Sequence, residues 1–400
     1  MTDPVTDWQT DWDHADPAWA ADPFAIWADL RAGCPVARTE RYGGAWLVTT
    51  HALIDEVTHD TDAYSSRETG VRAPGTNTKK SPPITTDPPE HQEHRRILLA
   101  GFGPRSIARL EDGIRSYCKE LVAAVAGQAR FDAAQAYTRH IPTKAIALLL
   151  ALPEEDADTF RGWVRAIMVD GYTDPAARER ATAELKAYLG PLVADRRGGT
   201  GDDVLTTVAN AELGGVPLED DMAIGMAYLL VVAGIDTTWS ALGTALWHLG
   251  THPGDLARLV AEPALLPTAV EEFLRAYAPV SVGRIATRDL ELGGCPVRAG
   301  ERVLVPFGAA NRDPEAFERA DEFIVDRAEN RHATFGLGLH RCLGSNLARL
   351  ELRVALDEFI AAFPTFRVAD PDAVTWTLGH VRGPHAVVVD TGPSPKGARP

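Results

Sequence analysis

Apolar residues recur at intervals of three to four along most of this chain, and that spacing predicts helices for the greater part of it. Asp22-Pro23 opens a short amphipathic helix carrying Phe24, Ile26, Trp27 and Leu30, which Gly33 and Pro35 end. Val36-Ala37-Arg38 and Ala45-Trp46-Leu47-Val48, on either side of Tyr42-Gly43-Gly44, predict a hairpin, and His51 to Val57 a helix. Residues 105–210 are helical almost throughout, with boundaries at Gly127, Pro142, Pro153, Pro175 and the glycines at 198, 199 and 201. Within them, Glu154 to Val169 and Asp174 to Arg197 are two helices joined by Asp170-Gly171-Tyr172-Thr173, a connection with the composition of a hinge. The longest apolar run extends from Leu218 to about Gly250; Asp236 and His248 interrupt it, which predicts a helix buried through the middle of the molecule rather than a membrane span. Trp376 to Val389 reads as a hairpin. The acidic, Trp-rich residues 1 to about 20 read as a poorly ordered leader and 392–400 as a tail. The fold class expected is mainly α with small β-sheets and a long central helix.

Composition narrows the function. With 400 residues and 45% hydrophobic content the chain builds a sizeable core. A net charge of −16 argues against nucleic acid, since phosphate needs a basic face. No apolar run of about 18 residues begins the chain, so neither membrane anchoring nor secretion is expected. Four widely spaced cysteines, Cys34, Cys118, Cys295 and Cys342, outline no disulfide framework and suit the cytoplasm.

Candidate chemistry centres on Phe335-Gly336-Leu337-Gly338-Leu339-His340-Arg341-Cys342-Leu343-Gly344. Two glycines let the backbone approach a flat ligand, and Cys342 stands at the mouth of a helix running from Ser345 to about Phe363, where partial positive charge is expected to push the thiol toward thiolate. No second Cys or His accompanies it at zinc spacing, so haem iron fits better than zinc. His91 and Arg95, at i and i+4 after Asp87-Pro88-Pro89, share a helix face and offer two donors side by side. Inside the long apolar run, Ala233-Gly234-Ile235-Asp236-Thr237-Thr238 sets a costly carboxylate beside small residues that leave room for a flat group and favour a local widening or kink. Glu272 and Arg275 can pair at i and i+3. The loop from Tyr64 to Thr86 carries Arg67, Arg72, Lys79 and Lys80 against one acid, Glu68; it is either a solvated surface loop or the place where a basic residue meets a substrate carboxylate.

The Cys342 stretch resembles the haem-binding loop of the cytochromes P450, F-G-x-G-x-H-x-C-x-G, at every fixed position, and D-P-P-x-H-x-x-x-R, A-G-x-[DE]-T-T and E-x-x-R follow in the family's order. The resemblance implies a single haem domain over residues 1–400, with haem b (iron protoporphyrin IX) ligated by Cys342 and contacted by Phe335, Gly336, Gly344 and Ala233. His91, Arg95, Arg284 and His340 would hold the propionates; some members place an Asp two residues before that Arg, where this chain has Val282. Asp236 and Thr237 would relay protons, and Glu272, Arg275 and Arg327 would form an ion-pair triad behind the haem. Leu229, Val232, Ala233, Val280, Val282, His380 and Val381 would line the substrate pocket.

The implied activity is a monooxygenase using O2 on a small or mid-sized lipophilic molecule. A peroxide-driven peroxygenase and a non-catalytic haem-thiolate gas or redox sensor are the alternatives. The chain carries neither a flavin or nicotinamide fingerprint nor an iron–sulfur cysteine cluster. Electrons from NAD(P)H are therefore expected through a separate ferredoxin and ferredoxin reductase. They would dock on a monomer at a patch built from Arg95, Arg96, Arg105, Arg109, Arg341, Arg349 and Arg353.

Overall fold

The computed structural model describes residues 3–72 and 81–392. Its organising element is the helix Asp220–Thr251, 32 residues long and apolar enough to cross a membrane by length and composition. It is spent instead on the protein's own interior, where Met226, Val231, Leu242, Leu246 and Leu249 join the helical core. Helices Ala157–Met168, Pro175–Arg196, His140–Leu150 and Ser345–Ala362 pack around it. The widening expected near Ala233 is absent: the α-helix continues unbroken, and the Thr237 hydroxyl bonds back to the Ala233 carbonyl at 2.8 Å.

The hairpin forms as the alternation requires, with Val36–Thr39 antiparallel to Ala45–Val48 and Val36 opposite Val48. It grows into a five-stranded sheet in the order Val36–Thr39, Ala45–Val48, Arg302–Pro306, Ser281–Ala286, Tyr64–Ser65. Trp46, Leu47, Val303 and Leu304 give this sheet a second apolar cluster, distinct from the helical one. Strand Ser281–Ala286 matters most, because its period of two sends Val282 and Arg284 to the same face.

Three expectations need correction. Residues 3–21 are packed rather than a loose leader: Trp12 is fully buried, Trp19 nearly so, and Asp13 accepts from Arg41 at 3.0 Å and from the Tyr42 hydroxyl. The tryptophans supply the apolar area that the acidic composition masks. Within 105–210 a short strand, Arg130–Asp132, breaks the helical series, pairing with Val388–Asp390 from the far end of the chain. The hairpin expected over Trp376 to Val389 reduces to a bridge between Trp376 and Pro384 and a Thr377 N–H to Gly383 bond of 2.9 Å, with Val388–Asp390 pairing elsewhere. Lys79, Lys80 and the tail beyond Gly392 lie outside the described residues.

Candidate active site

A cavity lies between the helical and sheet-side clusters, with the central helix on one wall and the Cys342 loop on the other. The loop's shape follows from its glycines. Gly336 and Gly338 take φ of +74° and +64°, and a Cβ at Gly338 would fall 2.5 Å from the Thr58 carbonyl. The turn closes with the Cys342 N–H donating to the Phe335 carbonyl at 2.6 Å. Gly344 is the N-cap of helix Ser345–Ala362, which starts where the sequence predicts.

Cys342 is enclosed by the protein yet presents open surface, because that surface is the cavity wall. The expected push toward thiolate is not found. Burial raises the thiol above its ordinary value and outweighs the Gly344 N–H and the charges of Arg95, Arg341 and Arg349. An electropositive helix terminus is a weaker influence than desolvation here, so a bound metal would have to supply the deprotonation.

Four donors meet on one stretch of wall. The His91 and His340 rings are 4.2 Å apart, Arg284 and Arg95 border the same cavity, and Arg95 also donates to the Arg341 carbonyl at 2.6 Å. Both nitrogens of His91 and Nε2 of His340 are buried without a partner among the described residues. Burial holds His91 down to about 4 and His340 to about 3, with neighbouring cations adding to the effect. Arg284 is 5% exposed, bonds only the Gly283 carbonyl among the described residues, and is brought down to about 10 by burial. Buried donors without acceptors are costly, and a dianionic ligand edge is the chemistry that satisfies them.

On the opposite wall, Ala233 and Thr237 face the cavity, and Leu229, Val280 and Val282 line it. Asp236 does not: it is buried, has no hydrogen-bond partner among the described residues, and burial alone pushes its carboxyl up to about 7. Three expected pocket residues are corrected. Val232 turns into the helical core. His380 stacks on His14, and Val381 bridges backbone to backbone with Val280, so neither borders the cavity. Helical and strand registers separate Val232 from Leu229, and Val381 from Val280, in a way that apolar character alone does not. Arg67 pairs with Asp87 and Arg72 lies over the Tyr172 ring, so neither reaches the wall.

Glu272, Arg275 and Arg327 come together behind the Cys342 loop. Arg275 grips Glu272 through two bonds of 2.8 Å, Arg327 Nε approaches the same carboxylate to 3.0 Å, and the guanidiniums brace the carbonyls of Asn311, Ala320 and Glu318. Removing the carboxylate strands two buried cations. Glu272→Ala is therefore expected to cost about 3–5 kcal/mol in urea unfolding; a loss below about 1 kcal/mol, the range of an exposed pair, would contradict this.

Two residues emerge that the motifs did not flag, Glu271 and Glu351, and a third, Asn311, in the Asn311-Arg312-Asp313-Pro314 stretch that follows the family pattern, gains a role. Asn311 ties the loop down, accepting from Ala333 N–H at 2.6 Å and donating to Thr334 Oγ1 at 2.8 Å. Glu271 binds Arg349 at 2.6 and 2.8 Å and His332 at 3.1 Å; against the desolvation that raises it, these partners hold it down to about 2. Glu351, on the cavity-facing stripe of helix Ser345–Ala362 with Leu347 and Ala348, is fully buried with both oxygens unpartnered among the described residues, and burial raises it well above the ordinary carboxylate range. An acid at a four-residue spacing from Leu347 was the available signal.

Among the described residues no three His, Cys, Asp or Glu side chains converge to hold a bare ion. A metal at Cys342 would take its remaining ligands from a flat macrocycle, whose acidic edge the four donors fit. The fold and site thus define a haem-thiolate class. A model of the cytochrome P450 family matches residues 179–372. "Putative cytochrome P450 126" of Mycobacterium tuberculosis is 36% identical over 373 residues, 88% of this chain and 89% of that protein. "Erythromycin C-12 hydroxylase" of Saccharopolyspora erythraea is 36% identical over 342 residues, covering 83% and 85%. Among solved structures, the cytochrome P450 PksS of the Bacillus subtilis bacillaene polyketide synthase superposes with a TM-score of 0.87 at 28% identity, covering 96% of this chain and all of that one. The chain belongs to the cytochrome P450 family of monooxygenases, and membership implies haem iron and O2.

Proposed function

We propose that this enzyme hydroxylates a mid-sized, uncharged lipophilic secondary metabolite, inserting one atom of O2 into a C–H bond. The observation that carries this reading is the apolar distal wall, Ile84, Leu229, Leu230, Val280 and Val282, set opposite the Cys342 loop; among the described residues the basic side chains on this cavity are the four of the donor cluster, His91, Arg95, Arg284 and His340. It favours an uncharged substrate over the carboxylate-bearing one that the basic 64–86 loop raised. The relative whose name specifies erythromycin supports a metabolite of that general kind.

Bound haem supplies the iron chemistry that activates O2. The chain's own residues do the rest. Cys342 would be the ligand, and His91, Arg95, Arg284 and His340 would hold the acidic edge. Thr237 faces the cavity with its hydroxyl proton engaged by the Ala233 carbonyl, which leaves the oxygen's lone pairs free to accept a proton-bearing water. Asp236, poised near 7 one residue before it, lies off the cavity wall and delivers its proton to such a water on turning toward it. The apolar wall excludes bulk water and orients the reacting carbon. Oxygen-isotope labelling tests the reading: dioxygen-derived label must appear as one atom in product, and label arriving from water would overturn it.

Electrons come, in this proposal, from NAD(P)H through a separate ferredoxin and its reductase. Of the seven arginines expected in the docking patch, Arg95 is on the cavity wall, and Arg109, Arg349 and Arg353 face Asp202, Glu271 and Glu111. Arg96, Arg105 and Arg341 are exposed without an acidic partner among the described residues and carry the docking. Arg105→Glu is expected to lower the ferredoxin-dependent rate about tenfold at low salt, with the gap closing at high salt; an unchanged salt profile would remove Arg105 from the interface. The enzyme is read as a cytoplasmic monomer, supported by its four free cysteines and by large exposed apolar residues that occur only singly among the described ones.

A further inference from the structure

Five chain segments meet just outside the distal cavity, around two histidines that the reaction does not use. His14 comes from the N-terminal segment, Tyr42 from the hairpin turn, Gly70 and Arg72 from the loop before residue 73, Tyr172 from the connection between helices Ala157–Met168 and Pro175–Arg196, and His380 from the C-terminal turn. The His14 and His380 rings stack at 4.7 Å with 7° between their planes. Tyr172 stands edge-on to both, and Tyr42 lies 5.0 Å from His14. Among the described residues none gives a hydrogen bond to any of the four buried imidazole nitrogens, so shape and stacking carry the contact.

We propose that the His14–His380 stack is a positioning pair that sets the distal wall of the cavity, which makes the N-terminal segment a determinant of ligand affinity. Two backbone routes connect the stack to the wall. The His380 carbonyl accepts from Ser281 N–H at 2.9 Å, and its neighbour Val381 bridges Val280, so the turn holds the strand that presents Val280 and Val282. On the other side Gly70 packs so closely that a Cβ there would lie 2.6 Å from His380 Nε2. The adjoining Thr69, itself a wall residue, accepts from Gly283 N–H at 2.8 Å. The stack is anchored in turn: Gly379 N–H donates to the His14 carbonyl at 3.1 Å, and His380 N–H to the Tyr172 hydroxyl at 2.8 Å.

Both rings stack uncharged. Burial holds His14 to about 4, against the pull of Asp13 and with Arg72 adding to the effect, and it holds His380 well below its ordinary value, with His14 and Arg72 adding. Arg41 and Tyr42 engage Asp13, and Arg72 lies 4.9 Å over the Tyr172 ring, which completes the charged and titratable groups facing the pair among the described residues.

The inference rests on the distal cavity being the ligand site of a haem protein, and two probes separate the claims. Phenylimidazole bound to ferric iron must fit against the wall, whereas cyanide reports the iron alone; both are read by Soret shift on the full-length holoenzyme. His14→Ala is expected to weaken phenylimidazole about three- to tenfold, the range an aromatic pair contributes, with cyanide unchanged. Hydrogen exchange at the Ser281, Gly283 and His380 amides is expected to quicken in the same variant. His14→Phe, which keeps a ring of similar shape, is expected to restore both readouts to within about twofold, and it decides the matter if the alanine variant does not fold. Unchanged exchange and phenylimidazole affinity in His14→Ala, an equal loss for both ligands, or failure of the Phe variant to restore them would overturn the proposal. Absence of any Soret shift in the unmodified enzyme would instead sink the haem reading, while the exchange readout would still judge the stack.

Discussion

Cys342→Ser is expected to abolish the haem-thiolate signature: dithionite-reduced, carbon monoxide-treated protein loses its characteristic Soret maximum, and turnover falls to background. The residue is the one sulfur on the cavity wall, and no cluster of other donors among the described residues offers a substitute. Serine nearly matches cysteine in size but presents a harder, far less acidic oxygen, which would not serve iron as a thiolate does. The loop should survive, because its shape depends on Gly336, Gly338 and the Cys342 N–H to Phe335 bond, none of which uses the sulfur. Circular dichroism should therefore match the unmodified enzyme while the spectrum is lost. Persistence of that absorbance in a folded variant would remove Cys342 as the ligand.

Asp236→Asn has the second-largest effect. Loss of a positioned acid should lower coupled turnover about 100-fold, the lower end of what general acid–base catalysis contributes, with substrate affinity read by spin-state shift little changed. The same substitution has a signature independent of iron. Asp236 binds its proton more tightly folded, at about 7, than at its ordinary 3.8. Between those values the folded state holds a proton that the unfolded state has released, so stability falls as pH rises. The contribution is complete below the ordinary value and is lost by the time pH passes through about 7. A shift of this size corresponds to roughly 4 kcal/mol, as an order of magnitude. Asparagine carries no titrating proton, so urea midpoints measured from pH 5 to 8, about the span where proteins are most stable, should decline less steeply in the variant. Parallel pH profiles would show that the Asp236 carboxyl is not held protonated by its burial.

Legibility followed how local the physics was. The Cys342 loop could be read because its requirements are backbone requirements, two positive-φ glycines and a helix cap within ten residues. The same holds for the central helix, whose length and scarcity of charge announce a buried element. Helical spacing pointed to Leu229, Val232 and Ala233 together and the resemblance to Val280, Val282 and Val381; Val232 and Val381 do not border the cavity, since neither signal says which side of an all-apolar helix or an irregular turn faces it. Asp236 was identified by its cost inside an apolar run, but its exclusion from the wall depends on side-chain direction.

By itself, then, the amino-acid order determined the elements that answer to local rules: the loop around the sulfur, the helix starts and stops, the paired donors at i and i+4, and hence the family. Only tertiary structure decided what depends on partners distant in the chain. The order of the five-stranded sheet, the strand at Arg130–Asp132, the burial of Trp12 and His14, the unpaired Glu351 and the sorting of arginines into paired and free all depend on residues that come close only once the chain is folded. A hydrogen bond or ion pair across two hundred residues leaves no periodic trace in either segment, because each segment's own pattern is set by the face it buries and not by what it meets there.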